Sequence, residues 1–162
     1  MKLAKILPLL AIVMLSFSCS TDAVDEKIEA EIALYVPPTK QIEIEIMELI
    51  NEHRISIGLS SLEPLSKIKA EAYSHTDYMV RTEDVSHANF YQRRTNLVNS
   101  VGAKTVGENI AYAYSSPQSV VNAWIASEGH KSIVEGDFTD FDISAEKDED
   151  DRWYFTNIFV KR

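Results

Sequence analysis

The spacing of apolar residues changes from helical to alternating near residue 140, and this change constrains the fold strongly. Residues 141–146 and 154–160 alternate between two sets of side chains, as a β-strand with two different faces requires. The acidic stretch 147–151 between them predicts a turn, so the pair predicts a terminal β-hairpin. Upstream, apolar residues recur every three or four positions, which predicts amphipathic helices. Helices followed by a hairpin indicate an α+β fold.

Two helices are predicted in the first half of the chain. The first has Thr39 as its N-cap and Gly58 as its stop, with Glu43 among the glutamates of its solvent side. The second starts near Pro64, because proline is tolerated in a first turn, and ends near Thr82. His53 and His75 lie on or beside the apolar faces of these helices, so each is expected to be a packed structural histidine.

Two more helices are predicted before the hairpin. One covers residues 91–101, with Gly102 as its stop and with Arg93 and Arg94 as surface or ion-pair residues. The other begins at Ser116-Pro117, a serine N-cap followed by a first-turn proline. It is expected to break at Gly129, with a short further turn over 130–134.

The first eighteen residues have the pattern of a signal peptide. Lys2 and Lys5 precede an apolar run over 6–15 and small residues at 16–18. A membrane-spanning helix needs about 20 apolar residues, so this run is too short to be one. The pattern predicts export. Residues 19–38 that follow are rich in acidic residues, end at Pro37-Pro38, and predict a tether before a domain at 39–162.

Cys19 is the only cysteine, so an intrachain disulfide is impossible. It is either a chance residue or the acylated residue of a lipoprotein. Leu15-Ser16-Phe17-Ser18-Cys19 resembles a bacterial lipobox, with serine where leucine is usual three positions before the cysteine. Acylation at Cys19 would anchor the protein to a bacterial membrane, on the periplasmic side or the cell surface. Without it, the protein would be secreted.

The formal net charge of −9 excludes some partners. Nucleic acids select basic surfaces, and no basic cluster interrupts the acidity of this chain, so no nucleic-acid partner is expected. Docking on anionic lipid through charge is disfavoured for the same reason.

Three residues are the main candidates for metal binding or acid–base catalysis: His87, Glu108 and His130. Imidazoles and carboxylates bind Zn²⁺ and related divalent cations, and they also act as general acids and bases. They lie about twenty residues apart on separate elements, so spacing alone does not show that they meet. Three interpretations remain open: a structural hydrogen-bond network, a divalent-ion site, and a catalytic centre.

Short motifs in a fixed order add a family resemblance that spans about residues 40–162. The main ones are Asn51-Glu52-His53-Arg54, Ser86-His87, Gly107-Glu108-Asn109-Ile110-Ala111, Ser116-Pro117, Gly129-His130-Lys131 and Tyr154-Phe155-Thr156-Asn157-Ile158-Phe159. In this order they resemble bacterial members of the CAP superfamily, which includes cysteine-rich secretory proteins, venom antigens and plant pathogenesis-related proteins. The resemblance implies an α-β-α sandwich around a small antiparallel sheet.

The resemblance also implies a cleft lined by two histidines and two acidic residues. His87 matches the first histidine, Glu108 the first glutamate, and His130 the histidine of the bacterial pattern. Ser127 stands where the second glutamate is usual, and Tyr154 stands where eukaryotic members have their second histidine. Only part of the metal-binding and catalytic set is therefore present.

Three functions are compatible with this partial set. The first is a lipid-anchored or secreted binding module of a bacterial envelope, whose ligand is a lipid or other small molecule, a cell-wall fragment or a protein. The second is a metal-dependent hydrolase acting on peptide or glycan through His87, Glu108, His130 and Zn²⁺ or another divalent cation. The third is a structural domain whose cleft is vestigial.

Overall fold

The structure is a computed structural model that describes residues 35–162. The predicted signal peptide, Cys19 and most of the predicted tether lie outside the described residues. The last residues of that tether contact the domain, since Pro37 is buried and the Tyr35 ring packs edge-on against Tyr73 at 5.4 Å. No helix within 35–162 is long and apolar enough to cross a membrane.

The described part of the chain is α+β, as predicted. Its helices are α1 (Gln41–Ser56), α2 (Ser66–Thr82), α3 (Phe90–Val101), α4 (Pro117–Ala126) and α5 (Glu128–Val134). Its strands are β1 (Glu63–Pro64), β2 (Thr105–Tyr112), β3 (Asp140–Lys147) and β4 (Trp153–Lys161). They form one sheet in the order β1-β3-β4-β2. The predicted hairpin is β3–β4, and β2 pairs antiparallel with β4. The short β1 pairs in parallel with β3, so the sheet is mixed.

Helices cover both faces of this sheet. One face packs against α1, α4 and α5 through a large core that includes Ile46, Trp124, Ile143, Phe155 and Phe159. The other packs against α2 and α3 through a smaller core that includes Ile68, Leu97, Ile158 and Val160. The central strand β4 contributes to both cores, with Phe155 and Phe159 on one face and Ile158 and Val160 in the other core. This is the α-β-α sandwich that the resemblance implied.

Glu43 corrects one prediction. It was placed on the solvent side of the first helix, but it is fully buried. Its Oε1 accepts the backbone N–H of Ala145 at 2.8 Å, and its Oε2 lies 2.6 Å from Lys69 Nζ. Lys69 in turn donates to the carbonyl of Ile143 at 2.7 Å. β1 pairs with only the first two residues of β3. Farther along β3, the Glu43–Lys69 ion pair, which joins α1 to α2, forms hydrogen bonds with the outer edge of the strand.

Several element boundaries also differ from the predictions. The N-cap of α1 is Lys40 rather than Thr39, and Pro64 lies in β1, two residues before α2. The fourth helix breaks at Ser127, whose extended backbone separates α4 from α5, so Gly129 lies inside α5. The stop at Gly102 and the Ser116 cap are confirmed: Gly102 has φ +71°, and the Ser116 side chain accepts the N–H of Ser119.

The strand β2 was not predicted from periodicity. Its residues read Thr-Val-Gly-Glu-Asn-Ile-Ala-Tyr, without clean polar and apolar alternation. Both of its faces are covered by helices, and a strand covered on both faces loses the pattern that identifies a half-exposed one.

Candidate functional site

Glu108 lies in the middle of β2 and is held by a buried arginine of α3. Arg93 Nε donates to Glu108 Oε2 at 2.7 Å, and Arg93 Nη2 donates to Oε1 at 2.8 Å. The two residues are 5% and 4% exposed. Such a two-bonded guanidinium–carboxylate pair fixes both the position and the plane of the carboxylate.

The local sequence explains why these groups meet. Arg93 precedes the buried Leu97 by one helical turn, so its side chain is on the inward side of α3. Glu108 is opposite Ile158, which belongs to the core under α2 and α3. Its neighbour Gly107 is on the other face, where an added Cβ would lie 2.9 Å from Ile133 of α5. Glycine therefore lets α5 pack closely beside the carboxylate.

His87 is the second group bonded to this carboxylate. Its Nδ1 lies 2.8 Å from Glu108 Oε1. Because a carboxylate in contact with a guanidinium only accepts hydrogen bonds, Nδ1 is the protonated nitrogen. That leaves Nε2 for other partners, and the His87 side chain is 51% exposed. His87 therefore presents one unprotonated ring nitrogen toward solvent when it is neutral.

His75 supports the loop that carries His87. It is buried, as expected for a packed histidine, and its Nε2 donates to the carbonyl of Ser86 at 2.8 Å. Burial lowers the pKa of His75, and the nearby charge of Arg93 lowers it further. A second bond holds the same loop, because Arg93 Nη1 donates to the carbonyl of Ala88 at 2.6 Å.

His130 is placed differently from the other two candidates. It belongs to α5, which packs on the opposite face of the sheet from Glu108. Its carbonyl accepts the side-chain amide of Asn109 at 3.0 Å, and no hydrogen bond joins its ring to Glu108 in the described residues. Burial lowers the pKa of His130, and the charge of His87 lowers it further. We call His87, Arg93, Glu108 and His130 the β2 site.

The β2 site does not have the form of a metal-binding site. Within residues 35–162, no group of three or more His, Cys, Asp or Glu side chains is placed to hold a metal ion. The guanidinium of Arg93 occupies both oxygens of Glu108, and its charge opposes that of a cation. The residues present therefore do not fit Zn²⁺ in this arrangement, and the zinc site stays a prediction without geometric support.

The two residues that depart from the family pattern, Ser127 and Tyr154, have structural roles. Ser127 is the joint between α4 and α5 and supplies no carboxylate. Tyr154 is 2% exposed, and its ring centre lies 4.5 Å from that of Tyr112. Burial, with a hydrogen bond to Tyr112, raises the pKa of Tyr154 to about 12. Neither residue supplies an acid or base for chemistry near neutral pH.

Sequence reasoning named His87 and Glu108 but did not place Arg93 in the site. It allowed Arg93 to be an ion-pair residue, without a partner. The available signal was its position one turn before Leu97, on the inward face of a helix, where a charged residue needs a buried partner.

Comparison with known proteins identifies the family. The model of the cysteine-rich secretory protein family, CAP, matches residues 47–159, well over half of the chain. The chain belongs to the CAP family. It is 32% identical over 124 residues to the uncharacterized membrane protein YlbC of Bacillus subtilis (strain 168). That match covers 74% of this chain and 34% of YlbC, so the chain spans about a third of that relative.

Solved CAP structures share the fold. An outer surface protein from Borrelia burgdorferi matches with a TM-score of 0.69 and 21% identity, over 79% of this chain and 98% of that protein. An extracellular protein containing an SCP domain from Bacillus anthracis matches with a TM-score of 0.64 and 22% identity, over 78% of this chain and 45% of that protein. At these identities, the likeness establishes the fold alone.

Proposed function

We propose that this CAP-domain protein is a binding module that acts outside a bacterial membrane and performs no chemistry at the β2 site. Its ligand is a lipid or other small molecule, a cell-wall fragment or a protein. The observation that carries the proposal is the Arg93–Glu108 pair, because a carboxylate bonded to three N–H groups serves as an anchor. A general acid or base must instead be free to exchange its proton with a substrate.

The set of acidic groups also disfavours hydrolysis. A glycosidase uses two carboxylates about 5–9.5 Å apart, one of them protonated. At the β2 site Glu108 is the one carboxylate in the described structure, and Ser127 stands where the family's second acid is usual. The remaining groups are suited to recognition. His87 Nε2 can accept a hydrogen bond, and the neighbouring Val85 and Tyr91 are exposed at 40% and 76%. Tyrosine is enriched at binding interfaces.

The location rests on the N-terminal sequence. The signal-peptide pattern and the lipobox-like Leu15–Cys19 support export and anchoring through an acyl chain on Cys19. The names of similar proteins agree with a location outside the cell, since one is an outer surface protein and another an extracellular protein.

Binding is tested with His87→Ala in the full-length protein. The control is Tyr35→Ala, the loss of another half-exposed ring, which packs on Tyr73 of α2 rather than at the β2 site. The probes are soluble cell-wall fragments, phospholipid vesicles and short peptides, measured by calorimetry and by release of cleaved product. We expect His87→Ala to bind one probe at least tenfold more weakly while its stability changes by less than about 1 kcal/mol, since the side chain is half exposed. Turnover by the wild type that Glu108→Gln abolishes without unfolding would establish the hydrolase instead. If no probe binds the wild type, the cleft is vestigial.

Anchoring has its own test. Cells that express the full chain are fed an alkyne-tagged fatty acid, and the protein is followed in membrane and medium fractions. We expect the label and membrane retention in the wild type, and loss of both in Cys19→Ser. Equal partitioning of the two proteins would contradict acylation.

A further inference from the structure

A buried arginine outside the β2 site lacks an acidic partner. Arg54, in the last turn of α1, is 2% exposed. Its Nε donates to the carbonyl of Ser60 at 3.0 Å, and its Nη1 donates to the carbonyls of Val134 at 2.7 Å and Gly136 at 3.0 Å. These carbonyls include the C-terminal end of α5, so the guanidinium holds α1 against that helix end.

The charge of Arg54 is only partly compensated by these bonds. Among residues 35–162, no carboxylate lies within 4.0 Å of its nitrogens. Burial lowers the pKa of Arg54, and the more distant Asp137 offsets this only in part. A buried cation that faces only carbonyl dipoles is costly to keep out of water, and an anion beside it would reduce that cost.

The third nitrogen of Arg54 is accessible. Nη2 has no hydrogen-bond partner among the described residues, and it is not one of the fully buried side-chain atoms without a partner. It therefore keeps contact with solvent although the residue as a whole is buried. Arg54 lines a cavity of about 550 Å³, which also includes Ser60, Ser61, Thr139 and Lys161.

The acidic residues of this cavity are already paired. Glu135 Oε1 lies 2.8 Å from His53 Nε2, and Asp137 Oδ1 lies 2.6 Å from Lys161 Nζ. Glu135 Oε1 also lies 3.8 Å from Lys131 Nζ, so each carboxylate has a lysine within 4 Å. Of the two cations in the lining, Arg54 is the one without a carboxylate at that distance among the described residues. The hydroxyl groups of Ser60 and Ser61 are on the exposed loop after Gly58, within the same lining.

We propose that this cavity is a binding site for a small oxyanion, the phosphate or carboxylate group of a ligand, with Arg54 Nη2 as its charged donor. Ser60, Ser61 and Lys161 supply further donors around the same space. A guanidinium matches the planar or tetrahedral oxygens of such a group, and it is the usual side chain for this recognition. None of the residues of the β2 site lines this cavity, so the two sites are separate in composition.

The test is a titration of the full-length protein, in non-ionic detergent, with inorganic phosphate, acetate or chloride at constant ionic strength. Constant ionic strength removes general screening of surface charge. We expect phosphate or acetate, but not chloride, to shift the Arg54 Nε–H and the Ser60 and Ser61 amide NMR signals saturably and to raise Tm, as binding to the native state must. The response to phosphate against that to acetate distinguishes the two anion classes.

Two variants make the result specific. Ser61→Asp places a carboxylate within the lining, so it should remove the response to added anion; Ser115→Asp, with the same charge on the exposed loop after β2, should respond like the wild type. Arg54→Lys keeps the positive charge but loses the planar guanidinium with its several N–H donors, and should weaken anion binding at least tenfold. If Arg54→Lys does not fold, the response of Ser61→Asp to added anion decides the question. An unchanged response in Ser61→Asp, or no difference between chloride and the oxyanions in the wild type, would overturn the proposal and leave Arg54 as a cap of α5.

Discussion

Arg93 and Glu108 are joined by two hydrogen bonds of 2.7 and 2.8 Å, and both side chains are almost closed to solvent. The pair connects α3 to the centre of the edge strand β2. It therefore joins this helix to this strand through a charged rather than an apolar contact, as Glu43 and Lys69 do at β3.

Removing the arginine should be strongly destabilising. Arg93→Met leaves Glu108 buried without its cation, which typically costs about 3–5 kcal/mol. The double variant Arg93→Met, Glu108→Leu should recover most of that loss, because neither charge then remains. Urea unfolding at pH 7 measures both. The control is Arg94→Met, the exposed neighbour, expected within about 0.5 kcal/mol of wild type. Equal effects of Arg93→Met and Arg94→Met would show that the pair contributes nothing.

Metal removal should leave the protein unchanged. Because Arg93 occupies the carboxylate that a cation would need, we expect treatment with EDTA and addition of Zn²⁺ to shift Tm by less than a degree in the wild type. Differential scanning calorimetry and metal analysis of protein purified without chelator give the answer. A Tm that falls with EDTA and recovers with Zn²⁺, in the wild type but not in His87→Ala, would restore the zinc prediction.

Asp142 should lower stability at neutral pH. Burial raises its pKa from 3.8 to about 6, against the opposing hydrogen bond from Ile143. The folded state thus binds this proton more tightly than the unfolded state, so stability falls as pH rises from about 4 through 6. Asp142→Asn should gain about 1–2 kcal/mol at pH 7.5, less than the shift alone implies because asparagine accepts fewer hydrogen bonds. The gain should shrink at pH 5. Glu149→Gln, at an exposed carboxylate without a hydrogen bond or ion pair among the described residues, should show no such dependence.

His75 and His130 should make the free energy of unfolding change with pH in the direction opposite to that of Asp142. The pKa of His75 and that of His130 are lowered, in both cases mainly by burial. The unfolded chain therefore binds more protons near pH 6.5, and stability falls as the pH drops through that range. His75→Gln keeps a donor for the Ser86 carbonyl but does not titrate, so its free energy of unfolding should change less between pH 7.5 and 6 than that of wild type. An identical slope in the two proteins would assign the dependence to other groups.

Lys69 should contribute to both stability and solubility. Lys69→Met removes the cation 2.6 Å from buried Glu43 and leaves Lys40, at 3.9 Å, as the nearest one. We expect a cost of about 3 kcal/mol, and the change also frees the Ile143 carbonyl at the edge of β3. Unpaired edges invite association between chains. The double variant Glu43→Leu, Lys69→Met should regain stability yet still associate, because it frees the Ala145 N–H as well. Urea unfolding and light scattering separate the two effects. Lys67→Met, exposed two residues earlier, should change neither.

The fold was accessible from the sequence where local patterns were strong. Residues 141–146 and 154–160 alternate clearly, and Gly102 and Ser116-Pro117 are reliable helix ends, so the hairpin and the helix limits near them were predicted. The strand β2 was not, because covering both its faces removed the alternation. Glu43 was misplaced for a related reason. Neighbouring residues do not distinguish a glutamate that bonds to a distant strand and a distant lysine from a glutamate that faces water.

The candidate site was accessible only in part. His87 and Glu108 do meet, although twenty-one positions separate them, and the order of family motifs suggested this. His130 does not join them directly, because alternation in β2 directs Glu108 and Asn109 to opposite faces and α5 packs beside Asn109. Arg93 could not be assigned to Glu108 from helical spacing alone, since spacing gives a face and not a partner.

The order of the strands also separates the entry of the chain from the β2 site. The chain enters the domain beside β3, where Lys40 contacts Glu146 and Tyr35 packs on α2. The β2 site is on the far edge of the sheet, with β4 between. The described chain therefore begins on one flank of the domain and has His87 on the opposite flank. A ligand bound at His87 would not contact the segment through which the chain enters.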